Sequence, residues 1–180
     1  ATPAPDIAFD AELFHAIARS MAHKAGGTDG WSGDHWAQLP PAALQPLVDI
    51  WNAIWDGDDP PEHMWHVRML FHPRQLGIAQ LSWRIGIKAV IRQLSSWLES
   101  RLPEELHGGR AGRSLHKSIE QIYDDLEAAL ERGDTSIEFA GVKIDLKKFF
   151  DTVNASTSCR ILGRIGVPTR LTALLRLAPT

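Results

Sequence analysis

Two stretches of this chain carry residue types that could do chemistry. In Gly141-Val142-Lys143-Ile144-Asp145, Val142 and Ile144 point to one face and Lys143 and Asp145 to the other, which is the period of a β-strand. An aspartate where an apolar strand ends is held rigidly at the rim of a scaffold. It can cap the following turn or present a carboxylate there. Lys147, Lys148, Phe149, Phe150 and Asp151 follow at once. The second stretch is His107-Gly108-Gly109-Arg110-Ala111-Gly112-Arg113-Ser114. Its glycines lead into a helix start, where free N–H groups and the helix dipole favour an anion. Arg110 and Arg113 either contact phosphates there or project from a capped turn. His63-Met64-Trp65-His66 has the spacing of a metal clip but no second ligand pair, and it reads as a loop.

Charge sharpens the second stretch. The chain has a formal net charge of −3, which does not by itself point to nucleic acid. Residues 1–62 hold ten acids against Arg19 and Lys24, whereas 84–117 hold Arg84, Lys88, Arg92, Arg101, Arg110, Arg113 and Lys117 against Glu99, Glu104 and Glu105. Such a local excess can track a phosphate backbone, or it can be a solvated helix face followed by a loop.

The elements that must position these residues follow from capping and periodicity. Asp10 caps a first helix, with Phe9 and Phe14 placed as a hydrophobic staple and Leu13, Ile17 and Met21 on its apolar face. Gly26-Gly27 ends it. Pro41 opens a second helix with a stripe of Leu44, Leu47, Val48, Trp51, Ile54 and Trp55, stopped by Gly57. Residues 65–71 read as a strand, and 76–81 as a short strand or turn. Trp83, Ile87, Val90, Ile91, Leu94, Trp97 and Leu98 mark a long helix. Ser114 caps another with Leu115, Ile119, Ile122, Leu126 and Leu130, ended by Gly133. Residues 136–146 are strand, and helices over 157–165 and 168–177 meet at Gly166. Trp51, Trp55, Trp83 and Trp97 lie on helical stripes and belong to the core before they serve any base. A chain of 180 residues with 44% apolar and 23% charged residues suits a globular domain, and no apolar run reaches the length of a membrane span. The single cysteine, Cys159, has no internal partner, which favours a reducing, intracellular setting, nuclear or cytoplasmic.

Residues 141–153 resemble the first catalytic motif of retroelement reverse transcriptases, the RNA-directed DNA polymerases of retrotransposons and group II introns. Lys24-Ala25-Gly26-Gly27-Thr28-Asp29-Gly30-Trp31-Ser32 resembles the family's "GxDG" element. Leu76 to Gln93, with Leu81-Ser82-Trp83-Arg84-Ile85-Gly86-Ile87-Lys88 at its centre, resembles its fingers segment, residues 107–114 its next block, and Gly166-Val167-Pro168 the connection after the first motif. These blocks stand in the family's order over about residues 20 to 177. The resemblance implies two-metal nucleotidyl transfer with magnesium (manganese as a substitute), ligated by Asp145 and the backbone carbonyl of Leu146. It makes Phe150 a steric gate against ribonucleotides. Arg74 is the residue nearest the place of the family's triphosphate-binding arginine. Arg84, Lys88, Arg110, Arg113 and Lys117 are then expected to hold nucleic acid. The implied partners are an RNA template, a DNA primer and deoxynucleoside triphosphates, with no membrane.

The chain also departs from that pattern. Leu76-Gly77-Ile78 stands where the family has Arg-Pro-Ile, and no Asp-Asp pair follows Asp145; Asp58-Asp59 and Asp124-Asp125 lie upstream. The expectation is therefore a helix-rich α+β fold, a partial right-hand polymerase truncated before the second carboxylate motif. Residues 1–135 would form fingers with connecting helices, and 136–180 the start of the palm. The absence of an initiator methionine reads as a fragment, with the remaining palm and the thumb in the parent protein. Such a fragment is expected to be inactive alone. The alternative is a catalytically dead retroelement remnant that acts at most as a nucleic-acid-binding module.

Overall fold

The computed structural model describes residues 3–72, 74–110, 112–132 and 153–177. Over these residues the protein is helix-rich α+β, with one small two-stranded sheet. The expected strand over 136–146 lies outside the described residues, and with it Asp145, Leu146 and Phe150.

Helix α1 (Ala11–Ser20) begins as its sequence dictates. Asp10 is extended, and its Oδ1 accepts the Leu13 N–H at 2.7 Å, while the Phe9 and Phe14 rings meet edge to face at 5.7 Å. The helix stops earlier than Gly26-Gly27, in a turn that puts His23 at φ 64. A short helix α2 (Gly33–Gln38) follows, which periodicity does not reveal because so short a stretch shows no repeat. Pro41 starts a 3-10 turn, Pro41–Leu44, which runs into α3 (Gln45–Asp56). Gly57 closes α3 at φ 132, a backbone conformation that suits glycine, with its N–H on the Ala53 and Ile54 carbonyls.

A second 3-10 turn, Glu62–Trp65, takes up the first residues expected as strand. The strands proper are β1 (Val67–His72) and β2 (Arg74–Ala79), antiparallel, with Val67 opposite Ala79 and His72 opposite Arg74. A cross-strand contact shapes this hairpin: a Cβ at Gly77 would lie 2.7 Å from Val67 Cγ1.

Helix α4 (Leu81–Glu99) is the axis of the core. Leu81, Ile85, Val90 and Leu94 are wholly enclosed, and Trp83 and Trp97 nearly so. Gly86 is where α3 and α4 cross, because a side-chain carbon there would fall inside the Trp51 ring. Trp51 is fully buried, and its indole N–H donates to the Ser82 carbonyl at 3.1 Å. Of the four tryptophans expected in the core, Trp51, Trp83 and Trp97 are buried, and Trp55 is half-buried against Phe9. Ile91, expected on the apolar stripe, is half exposed.

The chain forms two compact units, Ala1–Trp97 with Asn154–Thr180, and Leu98–Val153. The tail from Asn154 belongs to the first unit, and the division expected at 135/136 lies outside the described residues. Helices α6 (Ala155–Arg164) and α7 (Thr169–Leu177) pack on each other, with Val167, Leu171 and Leu174 buried. Asn154 caps α6, accepting the Thr157 N–H, and Arg170 Nη2 donates to the Asp56 carbonyl at 2.6 Å, closing the end of α3. In the second unit, α5 (Leu115–Glu131) leaves Ile119, Ile122 and Leu130 exposed. No described helix is long and apolar enough to cross a membrane.

Candidate nucleic-acid interface

In the first unit, the loop over residues 24–32 is built on its glycines. A Cβ at Gly26 would meet the Trp31 carbonyl, and one at Gly33 would lie 2.9 Å from the Lys24 nitrogen. The backbone closes on itself through Lys24 N–H to Met21 O (3.0 Å) and Gly33 N–H to Lys24 O (2.9 Å). Asp29 forms an Asx turn, its Oδ1 accepting the Trp31 N–H at 3.1 Å. The whole loop then seats on the start of α4. Gly27 lies against the Gln80 backbone, where a Cβ would come within 2.7 Å of its Cα. Gln80 Nε2 donates to Thr28 Oγ1 at 3.1 Å, and Arg84 Nη1 to the Ala25 carbonyl at 2.8 Å.

Arg84, Lys88 and Arg92 stand at i, i+4 and i+8 on α4 and so share one face. Arg84 is half-buried; Lys88 and Arg92 are exposed. Lys88 Nζ donates to Ser20 Oγ at 2.8 Å, and that hydroxyl in turn donates to the Ile17 carbonyl. The charged ends of Arg84 and Lys88 are thereby tethered to the loop and to α1, and Arg84, Lys88 and Arg92 follow one another along one face of the helix.

The second unit treats its two arginines differently. Arg110 is buried, contrary to the picture of a projecting phosphate contact. Its Nε and Nη2 donate to Glu99 Oε2 at 2.9 and 2.7 Å, and its Nη1 to the carbonyls of Pro103 and Leu106. A guanidinium with every nitrogen engaged inside its own loop cannot reach a phosphate without breaking those bonds. Arg110 is therefore a structural pin. The hydrogen bond from Arg110 holds the Glu99 carboxyl below its ordinary value against the opposing effect of desolvation, helped by the charges of Arg110 and Arg113. Gly109 (φ 74) and Gly112 (φ 71) give the loop its reversals.

Arg113 keeps an outward aspect. Its Nη1 donates to the Glu104 carbonyl at 2.8 Å, and the side chain is half exposed. Lys117, one turn into α5, is exposed. Ser114 holds the N-cap position with extended backbone, but its side chain makes no capping bond. Arg74 opens β2, its backbone opposite His72.

The structure thus joins Arg84 to the loop over residues 24–32 and Lys88 to the end of α1, and in the second unit it buries Arg110 and leaves Arg113 half exposed. Among the described residues, no group of three or more His, Cys, Asp or Glu side chains could hold a metal ion. His63 and His66 sit in and after the 3-10 turn, as a loop. One feature of residues 24–39 is not visible in the sequence: Asp29, Gly30, Trp31, His35, Gln38 and Leu39 line an open recess of about 540 Å³. The signal that could have found it is the Asp29-Gly30 turn followed by Ser32 and His35, whose ring Nδ1 accepts the Ser32 N–H at 3.1 Å. No protein-family model matches the chain, and no curated protein matches it at a significant level.

Proposed function

We propose that this chain is the fingers and first palm portion of a retroelement-type reverse transcriptase, and that its part in the parent protein is to grip an RNA–DNA duplex. One observation carries most of the support. Two blocks that resemble this family, 24–32 and 76–93, are linked by hydrogen bonds from Gln80 to Thr28 and from Arg84 to Ala25, spanning 52 and 59 residues of sequence, and the second block carries Arg84 and Lys88 on one face of α4. A two-stranded hairpin runs directly into that helix.

In this reading Lys88 and Arg84 meet backbone charge in the first unit and, separately, Arg113 and Lys117 do so in the second, where Arg110 keeps the loop that bears Arg113 in shape. Asp145 and the Leu146 carbonyl would hold magnesium or manganese, Phe150 would exclude the ribose 2′-hydroxyl, and Arg74 is the residue nearest in sequence to the place of the family's triphosphate-binding arginine. The metal would supply charge neutralisation and activation of the primer hydroxyl when bound. A second reading, an inactive remnant that only binds nucleic acid, draws on Leu76 standing where the family has an arginine.

The test is fluorescence anisotropy of a labelled RNA–DNA duplex with the full chain over a salt series. Each phosphate contact contributes about 0.9 to the slope of log K against log salt for a duplex. Lys88→Ala together with Arg84→Ala should lower that slope by roughly one to two and weaken binding to all sequences alike. An unchanged slope, or no duplex binding by the wild-type chain, refutes the proposal. Primer extension by the parent protein separates the two readings: abolition by Asp145→Asn supports a polymerase, and absence of any extension supports the remnant.

A further inference from the structure

The recess over residues 29–39 brings an aromatic ring and a carboxylate, Trp31 and Asp29, into one lining. Its aromatic wall is Trp31, 44% exposed. That ring is held in place by Trp36 at 5.6 Å and by His35, edge to face, at 5.9 Å. Its polar end is the Asp29 carboxylate. Oδ1 is taken by the Trp31 N–H, and the side chain otherwise remains exposed. The His35 ring brings no positive charge while its Nδ1 accepts the Ser32 N–H, because an imidazole accepting there is neutral. Asp34 lies in the same short helix, paired with the exposed His23 at 2.9 Å. Along the sequence, residues 1–62 carry ten acids against Arg19 and Lys24.

We infer that this recess binds an arginine side chain from a basic polypeptide segment, its guanidinium stacked on Trp31 and forked onto the Asp29 carboxylate. A guanidinium is flat, weakly hydrated and always charged, so it can stack and pair at once. A lysine offers a compact, strongly hydrated charge that gains less from the indole face. Within the recess itself, the exposed Asp29 carboxylate favours a cationic side chain over an anion. The surface is distinct from the cationic row on α4, and the inference does not rest on the proposed polymerase role. A partner can therefore be held here while nucleic acid is held elsewhere.

The experiment uses the full chain and three fluorescein-labelled peptides of the same length, with glycine alternating with arginine, lysine or citrulline. The arginine peptide should bind best, the lysine peptide more weakly, and the uncharged citrulline peptide not measurably. Trp31→Ala should weaken the arginine peptide by about 2- to 30-fold, the range a cation–π contact spans. Asp29→Asn should weaken it similarly; asparagine can keep the Asx turn, so the loss reports charge rather than fold. Asp58→Asn with Asp59→Asn removes two acids from outside the recess and should leave the peptide ranking and the Trp31 effect intact. Binding that ignores Trp31→Ala and falls only with total acid count overturns the inference. So does equal binding of citrulline and arginine peptides. Tighter binding of single-stranded RNA than of the arginine peptide, lost in Trp31→Ala, would also overturn it by making the ring a base-stacking platform.

Discussion

Gly86→Ala tests how α4 is seated, and with it the position of the cations it carries. In an exposed helix the change would stabilise, since glycine costs up to about 1 kcal/mol relative to alanine there. At this crossing the new methyl would fall inside the Trp51 ring, which is itself fully buried and has no room to retreat. Overpacking of this kind costs about 1–3 kcal/mol. If the ring moves, its N–H leaves the Ser82 carbonyl, and an orphaned buried donor costs a further ~1–3 kcal/mol. The net expectation is a loss of roughly 2–4 kcal/mol, equivalent to about 5–15 °C in melting temperature for a chain of this size. All seven tryptophans lie within residues 1–97, so tryptophan fluorescence in a urea titration reads the first unit alone. Trp51→Leu in the Gly86→Ala background should recover part of the loss, with a coupling of at least about 1 kcal/mol. A Gly86→Ala variant as stable as wild type, or more stable, would refute the crossing geometry.

In the second unit, Arg113→Ala with Lys117→Ala should reduce the salt slope of duplex binding by about one for each phosphate that is no longer neutralised. Arg110→Ala should instead raise the rate of proteolytic cutting within residues 100–113, because it removes the side chain on which the loop closes. The Glu99–Arg110 pair has a definite pH dependence. The folded-state value of Glu99 is depressed below its ordinary 4.5, so the stabilisation is complete above that value and is lost only as the pH falls through the lower, folded-state value. Hydrogen-exchange protection of the loop measured from neutral to acid pH should stay level and then drop below the ordinary carboxylate range; a drop near neutrality would contradict the pair. Gly57→Ala should destabilise the first unit by about 1–2 kcal/mol in a thermal melt. It places a side chain at φ 132 and drives it against Arg170.

Where local chemistry decides structure, the sequence is sufficient. Asp10, Phe9 and Phe14 announce α1, and the tryptophan and aliphatic spacing announces α3 and α4. Gly166 separates the two tail helices as expected. Where tertiary contacts decide, it is not. Nothing in the spacing of Gly108 to Ser114 says that Arg110 turns inward, because the reason is Glu99, in the last turn of the preceding helix. Helix α2 is held by a Ser32–His35 bond at its start and by packing on α1 rather than by any periodic stripe of its own. The Trp31 recess has no periodic signature either: Trp31 lies on no helix, and its ring is placed by Trp36 and His35 rather than by a stripe.

The return of residues 154–177 to the first unit has a consequence for how the protein is made. On the ribosome, residues 1–97 emerge first but still lack the partners for Asp56 and the Trp97 flank, which Arg170 and Gly166 supply. That unit cannot be finished until the whole of 98–153 has been synthesised, and a chaperone would find its incomplete surface open throughout that interval. The same arrangement frees the intervening stretch to change length during evolution, since each doubling of a closed loop costs its host only about 0.6 kcal/mol.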